Sequence, residues 1–278
     1  MDRRMLTPYG LKFNPFTPDV PVEALQVHPR LEQFCWRIEH GLVGEGGFAL
    51  ISGDPGTGKS VGLRILADRL ASLREVEVGV LTHPSSTLAD FYREMGDLFS
   101  VPLKPHNRWG GFKALRERWI KHLETTLTRP VLLIDEAQET PIPVLNELRL
   151  MASHRFDSQM LLSVVLAGDS RLTQRLGRDE LLPLGSRIRI RLNTEYADTE
   201  QLRAALHHLL ETAGNPQLMT DGLMTTLVEH AAGNYRVLTT LAAELLATAA
   251  RTQHDTLDEK LYFDCFNPKP SRARKRTG

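Results

Sequence analysis

Residues 47–60 read Gly-Phe-Ala-Leu-Ile-Ser-Gly-Asp-Pro-Gly-Thr-Gly-Lys-Ser, and few stretches restrict a fold as tightly. Phe48–Ile51 is a short apolar run suited to a buried strand. It ends in Gly53-Asp54-Pro55-Gly56-Thr57-Gly58-Lys59-Ser60, which satisfies G-x-x-x-x-G-K-[ST] at each fixed position. Beyond it, Leu63, Leu66, Leu70 and Leu73 recur at helical spacing. Strand, glycine loop and helix are the context that gives this motif meaning. The glycines let successive backbone N–H groups converge on phosphate oxygens, and the helix N-terminus adds partial positive charge aimed at the same place. Lys59 reaches the outer phosphates of a triphosphate, and the Ser60 hydroxyl is placed to ligate Mg²⁺. The candidate ATP site is therefore Gly53, Asp54, Pro55, Gly56, Thr57, Gly58, Lys59, Ser60 and Val61.

With 278 residues, 41% of them apolar and 24% charged, the chain is ordinary for a globular protein with a sizeable core. No run of 18 apolar residues occurs, so no membrane span is expected. The N-terminal Met1-Asp2-Arg3-Arg4-Met5 lacks an apolar signal core. Two cysteines, Cys35 and Cys265, cannot make a CxxC site and suit a reducing, cytoplasmic setting. Net charge is zero, which argues against a molecule that binds polyanions over its whole surface. Charge is uneven, however. After Asp264 no acid follows, while Lys269, Arg272, Arg274, Lys275 and Arg276 crowd the end among Pro268 and Pro270. This basic tail, residues 265–278, either touches nucleic acid or an acidic partner, or is a solvated end.

Residues 1–22 form an N-terminal arm in which Pro8, Pro15, Pro18 and Pro21 forbid a regular helix. Its Tyr9, Phe13 and Phe16 suggest an arm pinned to the body. Pro29 opens a helix to about His40. After the glycine loop and its helix, Val76–Leu81 reads as a second strand, followed by a helix capped by Ser86 or Thr87. Val101–Gly111 reads as a loop from its Pro102, Pro105 and Gly110-Gly111, and Phe112–Leu127 as a helix. Val131–Ile134 and Leu161–Ala167 suit strands buried on both faces. Strands alternating with helices imply crossover connections and a parallel sheet. Arg187–Leu192 alternates strictly, an edge strand with its arginines on one face. From Thr199 onward the periodicity is helical only, with breaks at Gly214-Asn215-Pro216 and Gly233-Asn234. The expected organisation is an α/β domain over 23–195 and a small all-helical domain over 196–264.

Asp135 and Glu136 fall at the carboxyl end of a buried strand, where open α/β sheets bind ligands. Asp135 there holds Mg²⁺ through water, and Glu136 polarises the attacking water. Asp169 ends the next strand. It either faces the γ-phosphate or serves as a turn-forming Asx residue. Arg187 either completes the site of a neighbouring subunit, as an arginine finger does, or is a solvated edge-strand arginine. Arg236, after Gly233-Asn234-Tyr235, either reports the γ-phosphate to the helical domain or is an ordinary surface arginine.

In this order the motifs resemble those of AAA+ ATPases, with a five-stranded parallel sheet between helices followed by a helical lid. The resemblance implies that Gly53–Ser60 is Walker A, Asp135-Glu136 Walker B, Asp169 sensor 1, Arg187 the finger and Arg236 sensor 2. Asp169 stands where Gln or Asn is frequent in such proteins, and Asn234-Tyr235 where a small residue and Pro are usual. Tyr9-Gly10-Leu11, Asn14-Pro15-Phe16, Ala167-Gly168-Asp169 and Leu184-x-x-Arg187-Ile188 are similar to the ExeA-type ATPases and to the transposition regulators TnsC, TniB, MuB and IstB.

ExeA proper continues into a membrane span and a wall-binding domain, which this chain is expected to lack. The resemblance then implies a transposition helper: an ATP-bound homo-oligomer, ring or filament, that coats double-stranded DNA and recruits a transposase. In those relatives the region between the second and third strands grips DNA backbone. Here it offers Lys104, Arg108, Lys113 and Arg116, with Trp109 among them. The alternative is a secretion or signalling ATPase acting on a protein partner without DNA.

Overall fold

The computed structural model describes residues 6–103 and 107–266. Lys104 and the basic cluster beyond Pro268 lie outside them. The chain divides into two compact units, one spanning Val27–Glu195, the other joining Met1–Gln26 to Tyr196–Gly278.

The first unit is built on five strands: β1 (Gly47–Gly53), β2 (Val76–Leu81), β3 (Arg129–Ile134), β4 (Ser163–Gly168) and β5 (Ile188–Thr194). They form one parallel sheet in the order β2-β3-β4-β1-β5. The expected fold class is therefore found, with β5 at an edge. Along β5, Ile188, Ile190 and Leu192 are buried while Arg189 and Arg191 are exposed, as strict alternation requires. Val131–Ile134 of β3 and Val164–Ala167 of β4 are buried throughout. Strands so apolar need cover on both faces.

Helix α1 (Pro29–Arg37) and helix α2 (Lys59–Ala71) lie on the Ile51 face, where Gly62 allows α2 to approach Leu31 and Ile51. Phe48, Leu50, Leu132, Ile134, Val164 and Leu166 point the other way. They join a core with Phe91 and Met95 of α3 (Leu88–Leu98), Trp119 of α4 (Arg108–Thr125) and Leu148 of α5 (Ile142–Ala152). Two short helices, α6 (Ser170–Leu176) and α7 (Leu182–Gly185), connect β4 to β5.

The expected loop over 101–111 is shorter than its glycines suggest. Asn107 caps α4 by accepting from the Gly110 N–H at 2.8 Å, so Gly110 and Gly111 lie inside the first turns. A Cβ at Gly111 would sit 2.8 Å from the Tyr92 ring, so close helix packing explains that glycine. Between α5 and β4 the sequence reading also missed a small antiparallel hairpin, Ser153–His154 with Gln159–Met160, and β4 begins at Ser163 rather than Leu161. At the hairpin tip Arg155, Phe156 and Asp157 are all left-handed, and Phe156 is fully exposed.

The second unit holds α8 (Thr199–Ala213), α9 (Asp221–Ala231), α10 (Tyr235–Thr252) and α11 (Glu259–Phe266), the last unforeseen. Side-chain caps from Asp198, Thr220 and Asn234 open the first three. The N-terminal arm is pinned here. Leu6, Tyr9, Leu11 and Phe16 enter the helical core, and the Tyr9 hydroxyl donates to the His254 carbonyl at 2.9 Å.

Candidate functional site

The parallel register gathers the sequence-predicted groups at one edge of the sheet. Ser52 of β1 pairs with Gly168 of β4, and Ile134 of β3 with Leu166 of β4. The carboxyl ends of β1, β4 and β3 are thus adjacent, spaced by about 5 Å per strand. The glycine loop, Asp169 and Asp135-Glu136 all emerge there.

The loop is shaped by hydrogen bonds that a sequence does not display. The Thr57 hydroxyl donates to the Asp54 carbonyl at 2.7 Å and lies 2.7 Å from the Thr194 hydroxyl at the end of β5. Thr194, absent from the sequence reading, donates in turn to the Ser52 carbonyl. A Cβ on Gly53 would lie 2.1 Å from Thr194 Oγ1, so this tie requires glycine there. Gly56 and Gly58 take φ of +84° and +95°, conformations other residues resist.

Helix α2 begins at Lys59 without a side-chain cap, whereas α1, α3, α4, α8, α9 and α10 are capped by side chains. Its first N–H groups face the loop with no side chain to satisfy them, the arrangement that suits an anion. Lys59 is 6% exposed, and its ammonium donates to the Asp54 carbonyl at 3.0 Å. Among the described residues it forms no ion pair. A buried cation on a lone carbonyl is poorly compensated, and phosphate oxygens would complete it. Asp54, Pro55 and Val61 are exposed, while Gly53, Gly56, Gly58 and Ser60 are partly so.

Asp135 is half-buried and accepts from the Glu136 N–H at 2.9 Å. Glu136 is exposed and left-handed, at φ +49°. A left-handed glutamate costs about 1 kcal/mol or more and persists only where neighbours hold it. They do so through a 3₁₀ turn, Ala137–Glu139, clamped from α6 by Arg175, whose guanidinium donates to the carbonyls of Gln138 and Thr140.

Asp169 meets the turn-forming expectation. Its carboxylate caps α6, accepting from the Arg171 N–H and the Arg171 guanidinium, both at 2.9 Å. The Arg171 hydrogen bond holds its carboxyl below the ordinary range, with a smaller contribution from the Lys59 charge.

Other predicted residues lie elsewhere. Arg187, just before β5, pairs with Asp157 of the hairpin and donates to the Pro183 carbonyl. Arg236 is exposed in the first turn of α10, in the helical unit. Of the basic residues of α4, Arg108 donates twice to Glu147, a buried carboxylate that also accepts from the Tyr92 hydroxyl. Arg116 donates to the carbonyls of Leu150, Met151 and Ser153 at the end of α5. Lys113 is exposed, 3.7 Å from Glu117. Burial pushes the Cys35 thiol up to about 11, which leaves it chemically quiet.

Residues 43–176 match a family model described as AAA domain. Over 251 residues the chain is 31% identical to General secretion pathway protein A of Aeromonas hydrophila, a match covering 88% of this chain and 45% of that protein. The chain thus spans less than half the length of the curated relative it matches. Among solved structures it is similar to the ORC2 protein of Aeropyrum pernix in ADPNP-ADP complexes, with TM-score 0.71 at 16% identity over 93% of this chain and 72% of that one. It is also similar to the ORC1 protein of the same organism in complex with DNA, with TM-score 0.66 at 19% identity over 90% and 67%. Identities this low speak for the fold alone.

Proposed function

From a chain that carries an AAA domain in the fold of the AAA+ P-loop ATPases, we propose an ATP-driven switch that assembles on duplex DNA and recruits or regulates a transposase. The observation that carries the nucleotide chemistry is Lys59, a buried cation resting on a single carbonyl beside an uncapped helix start. ATP seats its phosphates on the N–H groups of Gly56–Val61, with Lys59 at the outer phosphates. Ser60 and Asp135 fit a hard oxygen-seeking cation, and Mg²⁺ there would neutralise charge between the phosphates.

Glu136 accepts a proton from water as the water oxygen attacks the γ-phosphorus. The bond to the ADP oxygen breaks, and that oxygen leaves with the electron pair. Arg187 of a neighbouring copy, once free of Asp157, would supply positive charge to the same phosphoryl group. Asp169, at the end of β4, and Arg236 would serve as sensors of that phosphoryl group. DNA contact falls to Lys113, Lys104 and the basic tail, because Arg108 and Arg116 already serve internal partners. A protein that shares the fold, ORC1 of Aeropyrum pernix, was solved in complex with DNA.

A second reading is favoured by the relative from the general secretion pathway: an ATPase acting on a protein partner. Mobility shift with random duplex and ATP across salt separates the two. On the first reading, Glu136→Gln holds the protein on DNA in ATP while the parent releases it. Absence of any ATP-dependent shift at low salt would sink the DNA role and leave the protein-partner reading standing. Among the described residues no helix is long and apolar enough to cross a membrane.

A further inference from the structure

Gln138 has no part in the chemistry above, yet it is 6% exposed and sits between two of the groups that do. Its Nε2 donates to Glu136 Oε2, and its Oε1 accepts from the Asp169 N–H at 3.2 Å. The amide orientation follows from its partners. Turned over, the side chain would set its oxygen against a carboxylate and its NH₂ against an N–H. Both ends would then be lost, so the orientation is fixed by chemistry on each side.

The surroundings are built to receive this side chain. A Cβ on Gly168 would come within 2.6 Å of Gln138 Oε1, so the last residue of β4 leaves a slot that any other side chain would close. Arg175 of α6 grips the Gln138 carbonyl itself. Backbone and side chain of one glutamine are thus both tied to the segment that follows β4. The left-handed Glu136 hangs from the other end.

We propose that Gln138 is a positioning residue for ATP hydrolysis, holding one carboxylate oxygen of Glu136 so that the other faces the attacking water. The inference rests on the ATPase reading. An amide donor suits this task. It fixes the direction of the carboxylate without neutralising it, and it leaves the second oxygen free to accept a proton. Because the amide is anchored on the Asp169 N–H, a shift at the end of β4 is passed to the Glu136 carboxylate through two hydrogen bonds. That is a direct route by which occupancy near Asp169 and Lys59 would set the catalytic geometry.

The test uses the full chain and two variants, Gln138→Leu, which removes both hydrogen bonds, and Gln138→Glu, which keeps the shape but replaces the donor by an acceptor. Steady-state ATP hydrolysis is measured with fluorescent-nucleotide binding and thermal melting on each. Misdirecting the base should lower kcat by about 10- to 100-fold in both variants, with nucleotide affinity within about twofold of the parent. In a Glu136→Gln background neither change should lower the residual rate further, since there is no base left to orient. An unchanged or raised kcat would overturn the proposal. So would an equal loss in the Glu136→Gln background, or a loss accompanied by collapse of nucleotide affinity, which would mark a purely structural role. A parent that binds ATP but never hydrolyses it would refute the ATPase reading and this one together. An active parent with indifferent variants refutes this one alone.

Discussion

Two cations in the α/β unit make an instructive pair. Lys59 is buried, and its ammonium rests on one backbone carbonyl. Arg108 is 62% exposed at its side chain, yet it reaches a carboxylate that is 3% exposed. Among the described residues the buried charge forms no ion pair, with Asp169 feeling it only weakly, while the exposed one is paired directly with a carboxylate. Burial without compensation is expensive unless something arrives to compensate it, which is why the proposed function gives Lys59 to phosphate. A surface arginine that compensates a buried acid has a part in the fold, and Arg108 has that part with Glu147. In the sequence both are given to ligands, Lys59 to phosphate and Arg108 to DNA, since both are basic residues near glycines.

The contrast breaks or sharpens through four measurements. Lys59→Met should show the largest effect, lowering ATP affinity by roughly 100-fold, or about 3 kcal/mol, in a nucleotide titration. Its melting temperature should hold or rise, because an uncompensated buried charge is removed; a marked fall would make Lys59 structural. Arg108→Ala should do the reverse. Leaving Glu147 buried without its partner should cost about 2 kcal/mol in denaturant unfolding, with ATP affinity intact. If instead DNA affinity fell and stability did not, Arg108 would be a DNA contact after all.

Lys113→Ala touches neither core nor site. On the DNA reading its binding should weaken modestly and the salt slope should fall by about one, measured by titration at several ionic strengths. Asp157→Asn should be smallest. The Ser153 hydroxyl first, and Arg187 after it, hold this carboxyl below its ordinary range. A depressed folded value contributes stability that is present above the unfolded value near about 4 and lost as pH falls through the folded one. The variant should therefore lose that part of the acid dependence in melts from neutral to acidic pH, and little else, because the pair is exposed.

The parts of the site that were legible in the sequence are those written by local rules. Phosphate geometry dictates every fixed position from Gly53 to Ser60. The alternation Arg187–Leu192 announces an edge strand because pleating has a period of two. Apolar Val131–Ile134 announces a buried one. Side-chain partnerships were not legible. Gln138 meets Asp169 across 31 residues, Arg108 meets Glu147 across 39 and Arg187 meets Asp157 across 30. No periodicity records such pairs, because they exist only after strands have chosen neighbours. The hairpin was hidden for a second reason: its ladder is two residues long, below the length at which alternation can be read. The place of the arm was hidden for a third. Tyr9 and Phe16 declare that they will be buried, but not in which of two cores.

Arg189 and Arg191 have a consequence beyond their own strand. Among the described residues the sheet stops at β5, with no strand paired along its outer side. A visiting strand would have to lie alongside guanidinium groups, one held by Glu45 and the other by the Gly185 carbonyl. Charge of that kind discourages edge-to-edge growth. Copies of this chain are thereby kept from merging into one continuous ribbon, and any gathering of subunits is left to helices and loops, where contacts can be made and released.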